Sequence, residues 1–241
     1  LPRLGLVQRA GYKLAEFDHV IVNHADRQYQ IDTLSRFGIS PDRIIRATEN
    51  VFRSCESLVV PSLKANHQTL PAADLAFLRE SFPGAGHSVP RHRRIFLSRS
   101  DARFRRLTNE AELYPLLRAH DFEIISPSRI DVASQAKLFS EAAVIVGTAG
   151  AAFANLVFAS APAHVIEISP PQWLAAFHWM ISARSRLSHT VLLGKGPIMR
   201  GVPDSSARQL DVTLSPEKLA RFLEAKLVPA AGRTHTASAI K

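Results

Sequence analysis

Residues Arg94 to Glu110 read RIFLSRSDARFRRLTNE, an apolar run that ends in serine and is followed by arginines at 99, 103, 105 and 106. A guanidinium is a planar fork that meets phosphate bidentately, so arginines released at the end of a strand point to an anionic ligand. The alternative for Arg99, Arg103, Arg105 and Arg106 is a solvated basic loop with scattered salt bridges. Residues 144–158, VIVGTAGAAFANLVF, offer a complementary feature. A strand ends at Gly147, the small residues Thr148 to Ala152 follow, and a short buried helix opens whose first amides can face a phosphate. The same glycine and alanine run serves equally well to pack a helix on a sheet. Its spacing is neither GxGxxG nor a Walker P-loop, which removes support from dinucleotide oxidoreductases and NTPases. Glu167, near the end of HVIEIS, is a carboxylate suited to ribose hydroxyls, or else a capping or ion-pairing glutamate. Trp173, Phe177 and Trp179 read as helix packing in preference to base stacking.

Metal chemistry finds little support. His19 with His24, and His87 with His92, are five residues apart on non-helical stretches, which is poor ligand geometry, and the chain has no DxD. The lone Cys55 cannot close an internal disulfide, and no CxxC exists, which fits a reducing cytoplasm. Thirty Lys and Arg against 21 Asp and Glu give a formal charge of +9, favouring anionic partners. Only 7% of residues are aromatic and no interleaved aromatic platform occurs, which weighs against a basic nucleic-acid-binding module.

The elements that must position these residues follow from periodicity. At 241 residues and 46% hydrophobic content, the chain can bury a core as one large α/β domain or two lobes. HVIVNH and DRIIRA read as strands flanking a helix in RQYQIDTLSRFGIS, and AADLAFLRESF reads as a further helix. The Gly/Pro/His-rich PGAGHSVPRHRR marks a lobe boundary, giving residues 1–90, 91–228 and a disordered tail at 229–241. From Arg94 strands and helices alternate: RIFLS, a helix near Asn109 to Ala119, FEIIS, a helix from Val132 to Glu141, AVIVG, a helix after Gly150, HVIEI and a helix from Trp173. Asn109 and Glu112 have capping-box spacing. The alternation predicts a parallel, doubly wound sheet with its ligand beyond the carboxyl ends of the strands. Residues 142–163 carry no charge over the length of a bilayer helix, but Gly147, Gly150 and Pro162 break them into strand, turn and short helix. The start, LPRLGLVQRA, has neither an initiator Met nor a signal-peptide pattern, and reads as the interior of a longer protein.

Together, IFLSRSDARFRRLTNEAEL, FEIISPSRIDVASQAKLFSEAAVIVGTAGAAFANLVFA and HVIEI resemble the glycosyltransferase 61 family, which includes bacterial capsular polysaccharide transferases and eukaryotic O-GlcNAc and xylosyl transferases. The likeness runs in order over about half the chain. Two departures stand out: a His- and aromatic-rich segment that normally precedes LPRLGLVQRAG is absent, and Ala149 stands where many members have His in a GxHGA turn. The absent segment is where acceptor-side and base residues are expected, so the catalytic base is unassigned. The resemblance implies a GT-B-like α/β fold of two Rossmann-like lobes with parallel sheets, the N-terminal lobe incomplete. It implies an inverting transferase that uses a UDP-sugar as substrate, with no cofactor and no metal. Arg99, Arg103, Arg105, Arg106, Thr148, Gly150 and Ala151 are then the donor diphosphate contacts, and Glu167 and Asn155 the nucleoside contacts. The expected partners are the nucleotide-sugar donor and a glycan or lipid-linked glycan acceptor, not nucleic acid, with the oligomeric state open. The expected place is the cytoplasm or the inner face of the membrane, in capsular or cell-surface polysaccharide synthesis. A nucleotide-sugar epimerase of the same fold is the alternative enzyme.

Overall fold

A computed structural model describes residues 1–47, 53–62, 70–82, 90–174, 176–198 and 209–227. Its centre is a five-stranded sheet of β3 (Arg93–Leu97), β4 (Phe122–Ile125), β5 (Ala142–Thr148), β6 (His164–Ser169) and β7 (Ser188–Leu193). The spatial order is β4-β3-β5-β6-β7 and every neighbouring pair is parallel. The three middle strands are apolar on both faces, as a sheet covered by helices on each side requires: Ile95, Phe96, Leu97, Ile145, Val146, Val165 and Ile166 are all buried. A smaller parallel pair, β1 (Val20–Val22) and β2 (Ile44–Arg46), forms a separate sheet.

Helices cover both faces of the large sheet. One face carries α3 (Ala72–Ser81), α5 (Val132–Glu141) and α6 (Ala176–Arg184), with Leu75, Leu78, Phe139 and Ile181 packed against Ile95, Ile145 and Val165. The other carries α4 (Glu110–Ala119) and α7 (Pro216–Leu227), where Leu113, Leu117, Leu219 and Leu223 meet Phe96, Val146 and Ile166. In the N-terminal part are α1 (Pro2–Arg9) and α2 (Gln28–Ser35). Although α3 falls in the stretch assigned from sequence to the first lobe, it packs on the second sheet. Arg79 of α3 donates to the carbonyls of Val157 and Ala159, both at 2.6 Å. Residues 83–89 of the expected boundary and the tail 229–241 lie outside the described residues.

Three local expectations change. Asn109 and Glu112 form no capping box: the Asn109 carboxamide accepts from the amide of Leu214 at 3.1 Å and donates to its carbonyl at 2.9 Å, clamping a distant segment onto the start of α4. Tertiary pairing takes the side chain that local spacing would have given to the cap. The segment after Gly150 is a 3-10 turn, Ala151–Val157, and not an α-helix. Finally, α6 begins at Ala176, so Trp173 precedes it. The uncharged stretch at 142–163 resolves into β5 and the 3-10 turn, and no helix among the described residues is long and apolar enough to cross a membrane.

Candidate functional site

Strand order reverses between β3 and β5: the chain leaves β3 toward β4 on one side, then continues from β5 on the other. In open parallel sheets the crevice outside the carboxyl ends at such a point receives the ligand. The two segments leaving these strands are the arginine loop, residues 98–107, and the turn at 148–151.

The loop is anchored from below by Glu110, the first residue of α4. Its buried carboxylate accepts from the Arg99 amide at 3.1 Å, from the Tyr114 hydroxyl at 2.7 Å and from the Ser98 hydroxyl. Glu110 is a residue that the spacing pointed past, because Glu112 carried the capping signature. From above, the loop is held by the carbonyl of Arg105, which accepts from Thr148 Oγ1 at 3.0 Å and from Arg99 Nε at 3.3 Å. Arg99 also donates from Nη2 to the Phe104 carbonyl at 2.9 Å. Thr148 is therefore a support for the loop, its hydroxyl turned to Arg105.

Arg99 lies directly against the turn. A Cβ on Gly150 would fall 2.1 Å from Arg99 Nη1, so the glycine is what admits the guanidinium. Burial, and next the nearby charge of Arg105, push the Arg99 pKa below its ordinary value. Among the described residues Arg99 has no salt-bridge partner, whereas Arg93, at the opposite end of β3, is held between Glu123 and Glu141. Arg94 is likewise structural, donating to the His120 carbonyl at 2.9 Å. Arg93 is thus neutralised by carboxylates, whereas Arg99 is held by carbonyls of its own loop. Arg105 stacks on Trp173 with 5.2 Å from guanidinium carbon to ring centre. Arg103 lies over Phe104 at 5.1 Å on the exposed side of the loop. Arg106 is engaged by Asp211, at 2.9 Å from Nη2 and 2.9 Å from the backbone amide, which secures the segment that pairs with Leu107. Its fork is taken by a carboxylate of the chain.

A family model for Glycosyltransferase 61 matches residues 17–166, more than half of the chain. The chain belongs to the glycosyltransferase 61 family. No curated protein matches it.

The two residues that resemblance to family 61 assigned to the nucleoside have partners within the chain. Asn155 Nδ2 donates to Gln135 Oε1 at 2.6 Å, and Gln135 in turn donates to the carbonyls of Pro127 and Ile130. This ties the 3-10 turn to the start of α5. Glu167 is 1% exposed and accepts from His178 Nδ1 at 3.0 Å and His189 Nε2 at 3.1 Å. His189 Nδ1 in turn pairs with Ser182 Oγ at 2.8 Å. With both oxygens so engaged beneath α6, Glu167 joins β6, β7 and the helix, the arrangement of the ion-pairing alternative. Sequence reading missed His178 and His189 because they lie 11 and 22 residues downstream on other elements. Among the described residues no group of three or more His, Cys, Asp or Glu is gathered that could hold a metal ion.

The close approach at Gly150 gives a direct test of the crevice. In the Gly150→Ala variant the added methyl must displace Arg99 Nη1, the far end of a flexible side chain, so the fold should survive while the guanidinium moves. Nucleotide affinity should fall by roughly tenfold, the scale of one charge-assisted contact, with an unchanged melting temperature. Full affinity by calorimetry would separate Arg99 from the ligand.

Proposed function

We propose that this family 61 chain is an inverting, metal-independent glycosyltransferase of GT-B type, moving a sugar from a UDP-sugar to a glycan or lipid-linked glycan acceptor in cell-surface or capsular polysaccharide synthesis. The observation that carries the reading is the close approach of the Arg99 guanidinium to Gly150 at the point where strand order reverses. A nucleoside diphosphate is the ligand class that this chemistry suits, since a guanidinium beside a small-residue turn at the carboxyl ends of the strands matches phosphate charge. The β1/β2 pair, parallel and set in a sheet of its own, supports the two-lobe reading.

The chemistry follows from the leaving group. As the bond from the anomeric carbon to the diphosphate breaks, negative charge grows on the departing oxygen, and fixed cations there stabilise the transition state more than the ground state. Arg99 and Arg105 supply that charge, with the backbone of Gly150 and Ala151 lining the same turn. Thr148, Arg106 and Asn155 hold the walls of the site. A base on the acceptor side takes the proton of the acceptor hydroxyl, which attacks the opposite face of the sugar, and a single displacement inverts the centre.

Calorimetric titration should find UDP binding at least tenfold tighter than UMP binding, because the second phosphate meets the arginines. Both affinities, and transfer itself, should persist in EDTA. Binding that needs Mn²⁺, or equal affinity for UDP and UMP, would contradict the proposal.

A further inference from the structure

Thr148 closes β5 and is buried. It pairs with Ile168 of β6, and the next amide, that of Ala149, donates to the Ile168 carbonyl at 3.1 Å, so its backbone is fixed by the sheet. A β-branched side chain has few rotamers open to it, which gives the hydroxyl a defined direction. That direction crosses from β5 to the loop leaving β3, where Oγ1 donates to the Arg105 carbonyl at 3.0 Å. The same carbonyl accepts from Arg99 Nε at 3.3 Å, and the preceding one, of Phe104, accepts from Arg99 Nη2 at 2.9 Å. Between these two carbonyls the backbone of Arg105 has φ 57°, a left-handed conformation that a residue with a Cβ keeps only where its surroundings hold it. The Thr148 hydroxyl is one such hold.

We propose that Thr148 is a positioning residue for Arg99, its hydroxyl holding the carbonyl that aims the Arg99 guanidinium at phosphate; this rests on the reading of the crevice as a nucleoside diphosphate site. A guanidinium is planar, so binding two of its nitrogens along one edge decides where the third is directed. Nε and Nη2 are the two on carbonyls, and Nη1 is the one beside Gly150. Carbonyls orient the cation and leave its charge intact. A direct contact between Thr148 and the diphosphate would need the same hydroxyl proton. An ionised diphosphate only accepts hydrogen bonds, a hydroxyl donates one, and that one goes to Arg105. Thr148 thus serves the ligand at one remove, through the backbone of the loop.

UDP is the probe, and calorimetric affinity and melting temperature are the readouts. Thr148→Val keeps the shape and removes the donor, and should lower affinity by roughly 3- to 10-fold, the scale of one neutral hydrogen bond. Thr148→Ser keeps the donor and should bind within about twofold of wild type. The deciding measurement is the double-mutant cycle with Arg99→Ala. Once the guanidinium is gone, Thr148→Val should cost no further affinity, because a residue that acts through Arg99 has nothing left to aim. A hydroxyl touching the diphosphate itself would show the same loss in both backgrounds, and that result overturns the proposal while leaving the diphosphate site standing. Wild-type affinity in Thr148→Val, or equal losses in the serine and valine variants, overturns it as well. Should the valine variant not fold, a crystal structure of the wild-type chain with UDP decides. Phosphate on Arg99 Nη1 with Thr148 Oγ1 still on the Arg105 carbonyl supports the proposal, and Oγ1 within hydrogen-bond distance of a phosphate oxygen overturns it. Failure of the wild-type chain to bind UDP overturns the reading of the crevice itself, and this proposal with it.

Discussion

Arg99→Ala should weaken UDP binding by roughly 1.5–3 kcal/mol, about 10- to 150-fold, with little change in folding stability. The size of the effect follows from where the guanidinium sits. It is half-buried, so its interaction with phosphate is less screened than that of a surface pair, and it has no salt bridge among the described residues. Its hydrogen bonds go to two carbonyls of its own loop, at 2.9 and 3.3 Å, which orient it without cancelling its charge. Arg106→Ala is the paired control. Sequence alone put both arginines on the diphosphate, but the Arg106 fork faces Asp211, and an exposed pair of that kind is worth about 0–1 kcal/mol. Its loss should alter stability slightly and UDP affinity little. Calorimetry on the two variants distinguishes the assignments, and equal losses of affinity would return Arg106 to the ligand.

The largest effect on folding should come from Glu167→Ala, which removes the carboxylate shared by His178 and His189. Taking one partner out of a buried charged network typically costs about 3–5 kcal/mol, because the remaining polar groups stay in an apolar interior without their acceptor. Here the surroundings are apolar in fact: His178 is fully buried and stacks on Phe153 at 5.0 Å between ring centres. Burial alone would raise the Glu167 pKa, but the hydrogen bonds from His178 and then His189 outweigh it and hold the group below the ordinary 4.5. A depressed folded-state value means that the network contributes fully above the unfolded-state value and is lost as pH falls through the folded one. Urea denaturation should therefore show a lower midpoint for Glu167→Ala at pH 7. The wild-type advantage should narrow once the pH drops below about 4.5. A midpoint unchanged at pH 7 would remove the network from the account of stability.

How much was legible beforehand depended on whether a feature was local. The β5 strand and α5, whose bounds the reading anticipated at Val132 and Glu141, are set by continuous apolar periodicity and a sharp exit, so they stand out in one dimension. The convergence of arginines beyond β3 was visible for the same reason. What each arginine touches was not, because Asp211, Trp173 and Thr148 arrive from 43 to 105 residues away or from another strand end. Asn109 failed in the same manner, its amide group drawn to Leu214. Glu167 was visible as a carboxylate at a strand end, but the histidines that close over it come from other elements and were not.

Glu110 carries a consequence beyond its hydrogen bonds. The carboxylate that anchors Ser98 and the Arg99 amide is also the opening residue of α4, so the loop cannot drift without disturbing the first turn of a helix. A ligand thus meets a surface that is already ordered. Ordering a flexible loop during association would cost about 1–2 kcal/mol of conformational entropy for each residue fixed, and in this chain that cost falls on folding instead. On the proposed reading, donor capture would then carry a small entropic penalty, and nucleotide and nucleotide-sugar would encounter nearly the same rigid arginine frame. On that reading, discrimination between donors would come from whatever meets the sugar, leaving the diphosphate grip common to all of them.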